Sequence, residues 1–116
     1  LSLNPISSLT TSTLVKICSN QEVRDVVKNM MNEAHEISKN LGIDKPFDVE
    51  RRIEAAKAVG EHKTSMLQDL ERDRPMEIDA LVSSVQELGR ITKVPTPTID
   101  TVLALVKLRA KEAKLY

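Results

Sequence analysis

This 116-residue sequence predicts an all-α fold, an irregular bundle of five or six helices, and three observations carry that expectation. Apolar residues recur at steps of three and four along nearly the whole chain, which is the helical period. No stretch keeps up the two-residue alternation of a strand, and no Asn-Gly or Asp-Gly hairpin signal occurs. Aromatic residues are 2% of the chain, namely Phe47 and Tyr116, so the core is expected to be aliphatic and methionine.

The elements follow in order. Leu3-Asn4-Pro5-Ile6-Ser7-Ser8-Leu9 reads as a helix break at the proline, with Asn4 satisfying the backbone that Pro5 frees. Alternatively, an amide at such a break offers a donor and an acceptor to a polar ligand. The apolar stretch Leu14 to Cys18 reads as packing. From Glu22 to Leu41, the residues Val23, Val26, Val27, Met30, Met31, Ala34, Ile37 and Leu41 share one stripe of a long helix, which Gly42 stops. Asp44 to Asp48 is expected as a loop, with Pro46 or Asp48 opening the next helix. That helix runs from about Val49 to Val59, with Ile53, Ala56 and Val59 inward, and Gly60 closes it.

A shorter segment from Thr64 to about Arg72 carries Met66, Leu67 and Leu70, and Pro75 interrupts it. A helix beginning near Met76 shows Ile78, Leu81, Val82, Val85, Leu88 and Ile91 at helical spacing. Val94-Pro95-Thr96-Pro97 is a stiff extended linker, because each proline disfavours helix at the residue before it. Thr96 or Thr98 then caps a last helix that buries Val102, Leu103, Leu105, Val106 and Leu108, with a charged tail from Lys107 to Lys114 that frays.

Composition narrows the function classes. Seventeen basic residues balance seventeen acidic ones, interleaved as in Glu50-Arg51-Arg52, so nothing marks a nucleic-acid or anionic-membrane binder. Cys18 is the sole cysteine; it allows no internal disulfide and no zinc cluster, and favours a reducing, cytoplasmic setting. No apolar run reaches the ~20 residues of a membrane span, and no signal peptide is visible. No metal site is expected: His35 and His62 form no ligand pair, and His35 reads as a surface or half-buried side chain. The three glycines are isolated, so the chain has no glycine-rich phosphate loop with which to hold a nucleotide by itself. Leu1 starts in mid-pattern without a methionine and reads as a cut edge.

Two stretches stand out chemically, Asn4-Pro5 with its hydroxyl neighbours and the run from His62 to Asp79. In the second, Ser65 opens one helix and Glu77 the next. Each has a plain reading, as a capping hydroxyl and as an acid favoured by the helix dipole. Yet two helices joined by a proline turn can bring their ends to one cleft, where a hydroxyl and a carboxylate would suit a hydroxy- or keto-acid.

At these residues the sequence resembles the ketopantoate reductases (2-dehydropantoate 2-reductases). Asn4-Pro5-Ile6 and the hydroxyls after it are similar to that family's Asn-Pro-Leu/Ile-Thr/Ser stretch. Lys63-Thr64-Ser65-Met66-Leu67-Gln68-Asp69, then Glu77-Ile78-Asp79, resembles its Ser-Met-x-Gln-Asp and Glu-Ile-Asp signature at matching spacing, and Val94-Pro95-Thr96-Pro97 followed by an aliphatic helix resembles its closing segment. The resemblance covers essentially the whole chain in order.

It implies that residues 1–116 are the helical C-terminal domain, of the 6-phosphogluconate dehydrogenase type, in a cytoplasmic two-domain enzyme. The N-terminal Rossmann domain, absent here, would bind most of the NADPH. Hydride transfer would turn ketopantoate into pantoate, on the route to pantothenate and coenzyme A. The resemblance further implies that Asn4 and Ser65 bind substrate. Glu77 would be catalytic and cofactor-facing, orienting the substrate or the ribose and nicotinamide end of the cofactor. The family's catalytic lysine would fall before Leu1, and this chain reads Thr11-Ser12-Thr13-Leu14 where some relatives carry an Asn-Gly after the hydroxyl stretch. The expected partners are a 2-oxo acid, the Rossmann domain and a second copy in a homodimer, and the fragment alone is expected to be inactive. The alternatives are a reductase of another 2-oxo acid and a free-standing helical interaction module.

Overall fold

The computed structural model describes residues 2–43 and 47–116. Among these it forms seven α-helices rather than the five or six expected: α1 (Leu3–Thr10), α2 (Leu14–Ser19), α3 (Gln21–Asn40), α4 (Val49–Val59), α5 (Ser65–Glu71), α6 (Ser84–Thr92) and α7 (Pro97–Glu112). A π-helical turn, Asp79–Ser83, leads directly into α6. No strand occurs among the described residues, and no helix is long and apolar enough to cross a membrane.

The supernumerary helix at the start is α1, which runs through Asn4-Pro5 instead of breaking there. Pro5 is the third residue of this helix, where the missing N–H is one of the first-turn donors that have no partner inside a helix. The helix ends at Thr11, a left-handed residue whose N–H reaches the Ser7 carbonyl.

The long α3 keeps the predicted stripe as far as Ile37, with Val27, Met30 and Ile37 buried, whereas Leu41, its C-cap, is 47% exposed. Asn20 caps its start by accepting from the Val23 N–H. At its end the Gly42 N–H reaches the Lys39 carbonyl and the Ile43 N–H the Ser38 carbonyl. That is a Schellman closure, and it requires the positive φ of Gly42. Asp48 opens α4 by accepting from the Arg51 N–H at 3.1 Å. The expectation for Asp44 to Pro46 lies outside the described residues. Arg24 clasps α2, α3 and α4 together: it reaches the Cys18 carbonyl at 3.1 Å and both Glu50 and Glu54 at 2.9 Å. Cys18 is buried in the core, and burial raises its thiol pKa, so it is a packing residue.

The core is aliphatic and methionine, as composition requires, with Ile17, Met30, Ile53, Met66, Ile78, Ile99 and Leu103 among the fully buried side chains. Phe47 packs at its margin, stacked on the half-buried His35 at 4.9 Å between ring centres, with Arg52 over its ring.

Five inward assignments need correction. Leu105 and Leu108 of α7 are 52% and 58% exposed, because the buried stripe is Ile99, Val102, Leu103, Val106 and Ala110. At ~100° per residue, Leu108 lies on the opposite side of that stripe and Leu105 well off it. Leu88 and Ile91 of α6 and Val59 of α4 are exposed for the same reason of phase.

The start of α7 holds a further difference. Thr96 occupies the N-cap position without a capping bond. Glu33, projecting from α3, accepts from the Thr98 N–H and the Ile99 N–H, both at 3.0 Å. One carboxylate thus satisfies two first-turn donors and complements the helix dipole. The end of α7 does not fray as expected. Leu115 is buried, its N–H returns to the Ala110 carbonyl at 2.8 Å, and its own carbonyl accepts from the Met76 N–H at 3.0 Å.

Gly89 marks the close approach of α6 to α3. A β-carbon there would meet Thr96 Cγ2 at 2.7 Å and Ile37 Cδ1 at 3.3 Å. Alanine normally favours a helix interior over glycine by about 1 kcal/mol, but overpacking costs roughly 1–3 kcal/mol. Gly89→Ala is therefore expected to lower the thermal midpoint. An unchanged or raised midpoint in a melting experiment would show that the α3–α6 seam yields freely.

Candidate functional site

The N-terminal ends of α1 and α5 meet, and their hydroxyl and amide side chains form one network. Ser7 Oγ donates to the Asn4 carbonyl at 2.9 Å, and Ser8 Oγ donates to the same oxygen at 3.1 Å. Ser7 Oγ also pairs with Thr64 Oγ1. Because the Ser7 proton is already committed, Thr64 is the donor of that pair. Thr64 Oγ1 then accepts from the Leu67 N–H at 3.3 Å, which makes it the cap of α5. Thr64, Ser7 and Ser8 are all buried, so this chain of hydroxyls ties α1 to α5 in a dry environment.

Two of the expected site residues stand at the edge of this network. Asn4 Oδ1 accepts from Ser65 Oγ at 3.3 Å and from the Met66 N–H at 3.4 Å. A backbone N–H can only donate, so the amide oxygen must face Met66. The Nδ2 group is thereby turned away, and it makes no hydrogen bond to the described residues. The expectation that Asn4 serves the backbone at Pro5 is overturned: its side chain braces the first turn of α5. Ser65 is the first residue of α5, not its cap. It is exposed, and its bond to Asn4 is long, so the hydroxyl is readily re-aimed at an acceptor.

Glu77 stands apart. Helical structure resumes only at Ile78, and no side-chain capping bond opens the π turn there. Glu77 is the middle residue of a tight turn, in which the Ile78 N–H reaches the Met76 carbonyl at 3.0 Å. Met76 and Ile78 are buried on either side, while Glu77 is exposed. Among the described residues, Glu77 makes no hydrogen bond or ion pair with Asn4 or Ser65. The structure therefore joins Asn4 to Ser65 and leaves Glu77 as a separately held acid.

Lys63, next to this cluster, is paired with Glu71 at 2.9 Å, as a surface lysine would be. Of the histidines, His62 is exposed, and its carbonyl accepts from the Leu14 N–H at the start of α2. No group of residues that could hold a metal occurs among the described residues.

Sequence reasoning missed Thr64 and Ser7. Both are plain hydroxyls, and adjacent Thr64 and Ser65 are equally good caps by type. Only the approach of α1, more than fifty positions away in sequence, distinguishes them. Two surface depressions lie away from this network. One of about 500 Å³ is lined by Leu9, Leu70, Leu105, Leu108, Arg109, Glu112 and Ala113, and another of about 540 Å³ by Phe47, Asp48, Arg51, Arg52 and Ala55.

Known proteins match this chain over nearly all of its length. Residues 1–110 match the family described as ketopantoate reductase PanE/ApbA C terminal. A 2-dehydropantoate 2-reductase of Mesorhizobium japonicum is 60% identical over 116 residues, covering 100% of this chain and 36% of that protein. Among solved structures, a candidate ketopantoate reductase of Ralstonia solanacearum MolK2 superposes with a TM-score of 0.93 at 41% identity, covering 99% of this chain and 35% of that one. A 2-dehydropantoate 2-reductase of Methylococcus capsulatus follows with a TM-score of 0.89 at 32% identity, covering 97% and 39%. The chain thus spans a little over a third of the length of the curated relative.

Proposed function

The chain belongs to the ketopantoate reductase family, whose C-terminal model it matches over residues 1–110, and from that premise we propose that it is the substrate-binding and dimerisation half of a 2-dehydropantoate 2-reductase. In this reading an N-terminal Rossmann domain completes a cytoplasmic enzyme and holds most of the NADPH. The bound cofactor supplies a hydride to the keto carbon of ketopantoate, and pantoate is the product. The proton donor to the resulting alkoxide is a lysine outside residues 1–116.

The observation that carries this reading is the Asn4–Ser65 pair. Asn4 has its oxygen engaged by Ser65 and Met66 and its Nδ2 without a partner among the described residues, so it is a donor available to a ligand. Ser65 beside it supplies a hydroxyl that can turn toward the substrate carboxylate. These two donors, side by side at the edge of the buried network, form a donor site for the carboxylate of an acid. Glu77, exposed and without a partner among the described residues, suits the hydroxyls of the substrate or of the cofactor ribose. With no glycine-rich phosphate cradle, this domain touches the cofactor at that edge alone, and the isolated chain is inactive.

The homodimer expected for the whole protein would use the outward leucines of α7. Leu105 and Leu108 form an exposed apolar surface of the kind that self-associates. Replacement of Asn-Gly by Thr11-Ser12 favours a second reading, a reductase of another 2-oxo acid with the same site.

The test is NADPH oxidation by the full-length protein with ketopantoate, alongside the isolated chain. Turnover by the full-length protein alone is the expected result. NADPH binding without turnover would move the assignment to another 2-oxo acid, and failure to bind NADPH would end the enzyme reading. Light scattering of the full-length protein as a monomer at high concentration would remove the dimer.

A further inference from the structure

We propose that Asp79 and Tyr116, with the Leu115 carbonyl, form a clamp that positions Glu77 for its role in the proposed reaction. The inference rests on the reading of Glu77 given above and adds residues to which that reading gives no part.

Glu77 sits in a stretch without helical structure between the end of α5 and Ile78, and Arg74 and Pro75 in that stretch are exposed. Within the stretch, Arg74 is tied back to Asp69 and a tight turn sets Glu77 between buried Met76 and Ile78. Further fixation comes from the segment after α7. The Leu115 carbonyl accepts from the Met76 N–H at 3.0 Å, one residue before Glu77. The Tyr116 hydroxyl donates to Asp79 Oδ1 at 2.6 Å, two residues after it. The same oxygen accepts from Ser83 Oγ at 2.7 Å, so Asp79 is tied both to the segment after α7 and to the π turn it opens. A phenol donating to a carboxylate at this length is a charge-assisted bond, stronger than a neutral pair.

The clamp is itself anchored. Leu115 is buried, Ala110 receives its N–H, and Lys114 takes a left-handed turn that brings the segment round. Lys111 lies over the Tyr116 ring at 5.8 Å. The π turn adds a reason to read function here. Such turns put an extra residue into a helix, and they occur frequently at functional sites. In this molecule the π turn opens directly after Ile78, and the clamp contacts the chain on both sides of an acid that has no partner among the described residues. Asp79 and Tyr116 are positioning residues in this scheme: they act through the backbone of residues 76–79.

The test is a double-mutant cycle in the full-length protein, with Tyr116→Phe and Glu77→Gln made singly and together. Tyr116→Phe keeps the ring and removes only the hydroxyl, so the fold is retained. It is expected to lower kcat/KM about tenfold, the scale of a sub-ångström misplacement, and to lower it no further once Glu77 is Gln. Asp79→Asn, which keeps an acceptor for the phenol, should restore most of the activity lost in Asp79→Ala. If Glu77→Gln costs activity while Tyr116→Phe is silent, or costs the same in both backgrounds, the clamp is refuted and the Glu77 reading survives. If Glu77→Gln is silent, the Glu77 reading fails and the clamp falls with it.

Discussion

Glu77→Ala in the full-length protein is expected to lower kcat/KM by about two orders of magnitude, the cost of losing a group that orients the reactants. The thermal midpoint should hardly move. The side chain is exposed and bonds to nothing in the described protein, and surface substitutions of that kind change stability by roughly 0.5 kcal/mol or less. The pairing of a large kinetic effect with a small thermal one separates a site acid from a helix cap, whose removal would cost about 1 kcal/mol. Steady-state kinetics beside a melting curve reads both. Full activity in the variant would remove Glu77 from the site.

Asn4→Asp is expected to raise KM for the 2-oxo acid by about a hundredfold. The substitution keeps an oxygen toward Ser65 Oγ and the Met66 N–H, and a carboxylate beside the first turn of α5 is favourable there. The fold therefore survives. What changes is the outward atom: the donating Nδ2 becomes a second carboxylate oxygen. A negative oxygen facing an acid substrate is repulsive, and the lost bond to a charged group is worth roughly 1.5–3 kcal/mol. Asn4→Ala is the control, since it removes the brace on α5 as well and should lower the thermal midpoint. A KM unchanged in Asn4→Asp would mean that the amide serves only α5.

Residues with one unambiguous physical role were legible from sequence. The stripe of α3, the stop at Gly42 and the cap at Asp48 each follow from local chemistry, and each appears within a residue or two of its expected place. Readings failed where the deciding partner is distant. Leu105 and Leu108 are apolar and close to buried neighbours, so density of apolar residues suggested burial where helical phase forbids it. Pro5 looked like a break because its place within the first turn depends on where α1 begins. Thr64 was overlooked because the Ser7 hydroxyl that fixes it lies on another helix.

The candidate site divides the same way. The residue types of Asn4, Ser65 and Glu77 suggested acid recognition. The engagement of Asn4 with the start of α5, across a separation of more than sixty residues, was visible only once α1 and α5 were packed together. The charged tail after Lys107 looked free to fray because nothing local holds it. Its anchors are the Met76 N–H and Asp79, both more than thirty positions upstream.

The reach of Glu33 to the start of α7 bears on the order in which the molecule assembles. Its two acceptor bonds span separations of 65 and 66 residues, so the α7 cap is a non-local contact. Closing a loop of that size carries an entropic cost that rises with the logarithm of its length, and contacts of high sequence separation slow folding. Until α3 and α7 are brought side by side, the Thr98 and Ile99 N–H groups have only water as partners. In kinetic terms, the caps of α3 are local contacts, whereas the leading end of α7 is expected to be completed only as the bundle closes.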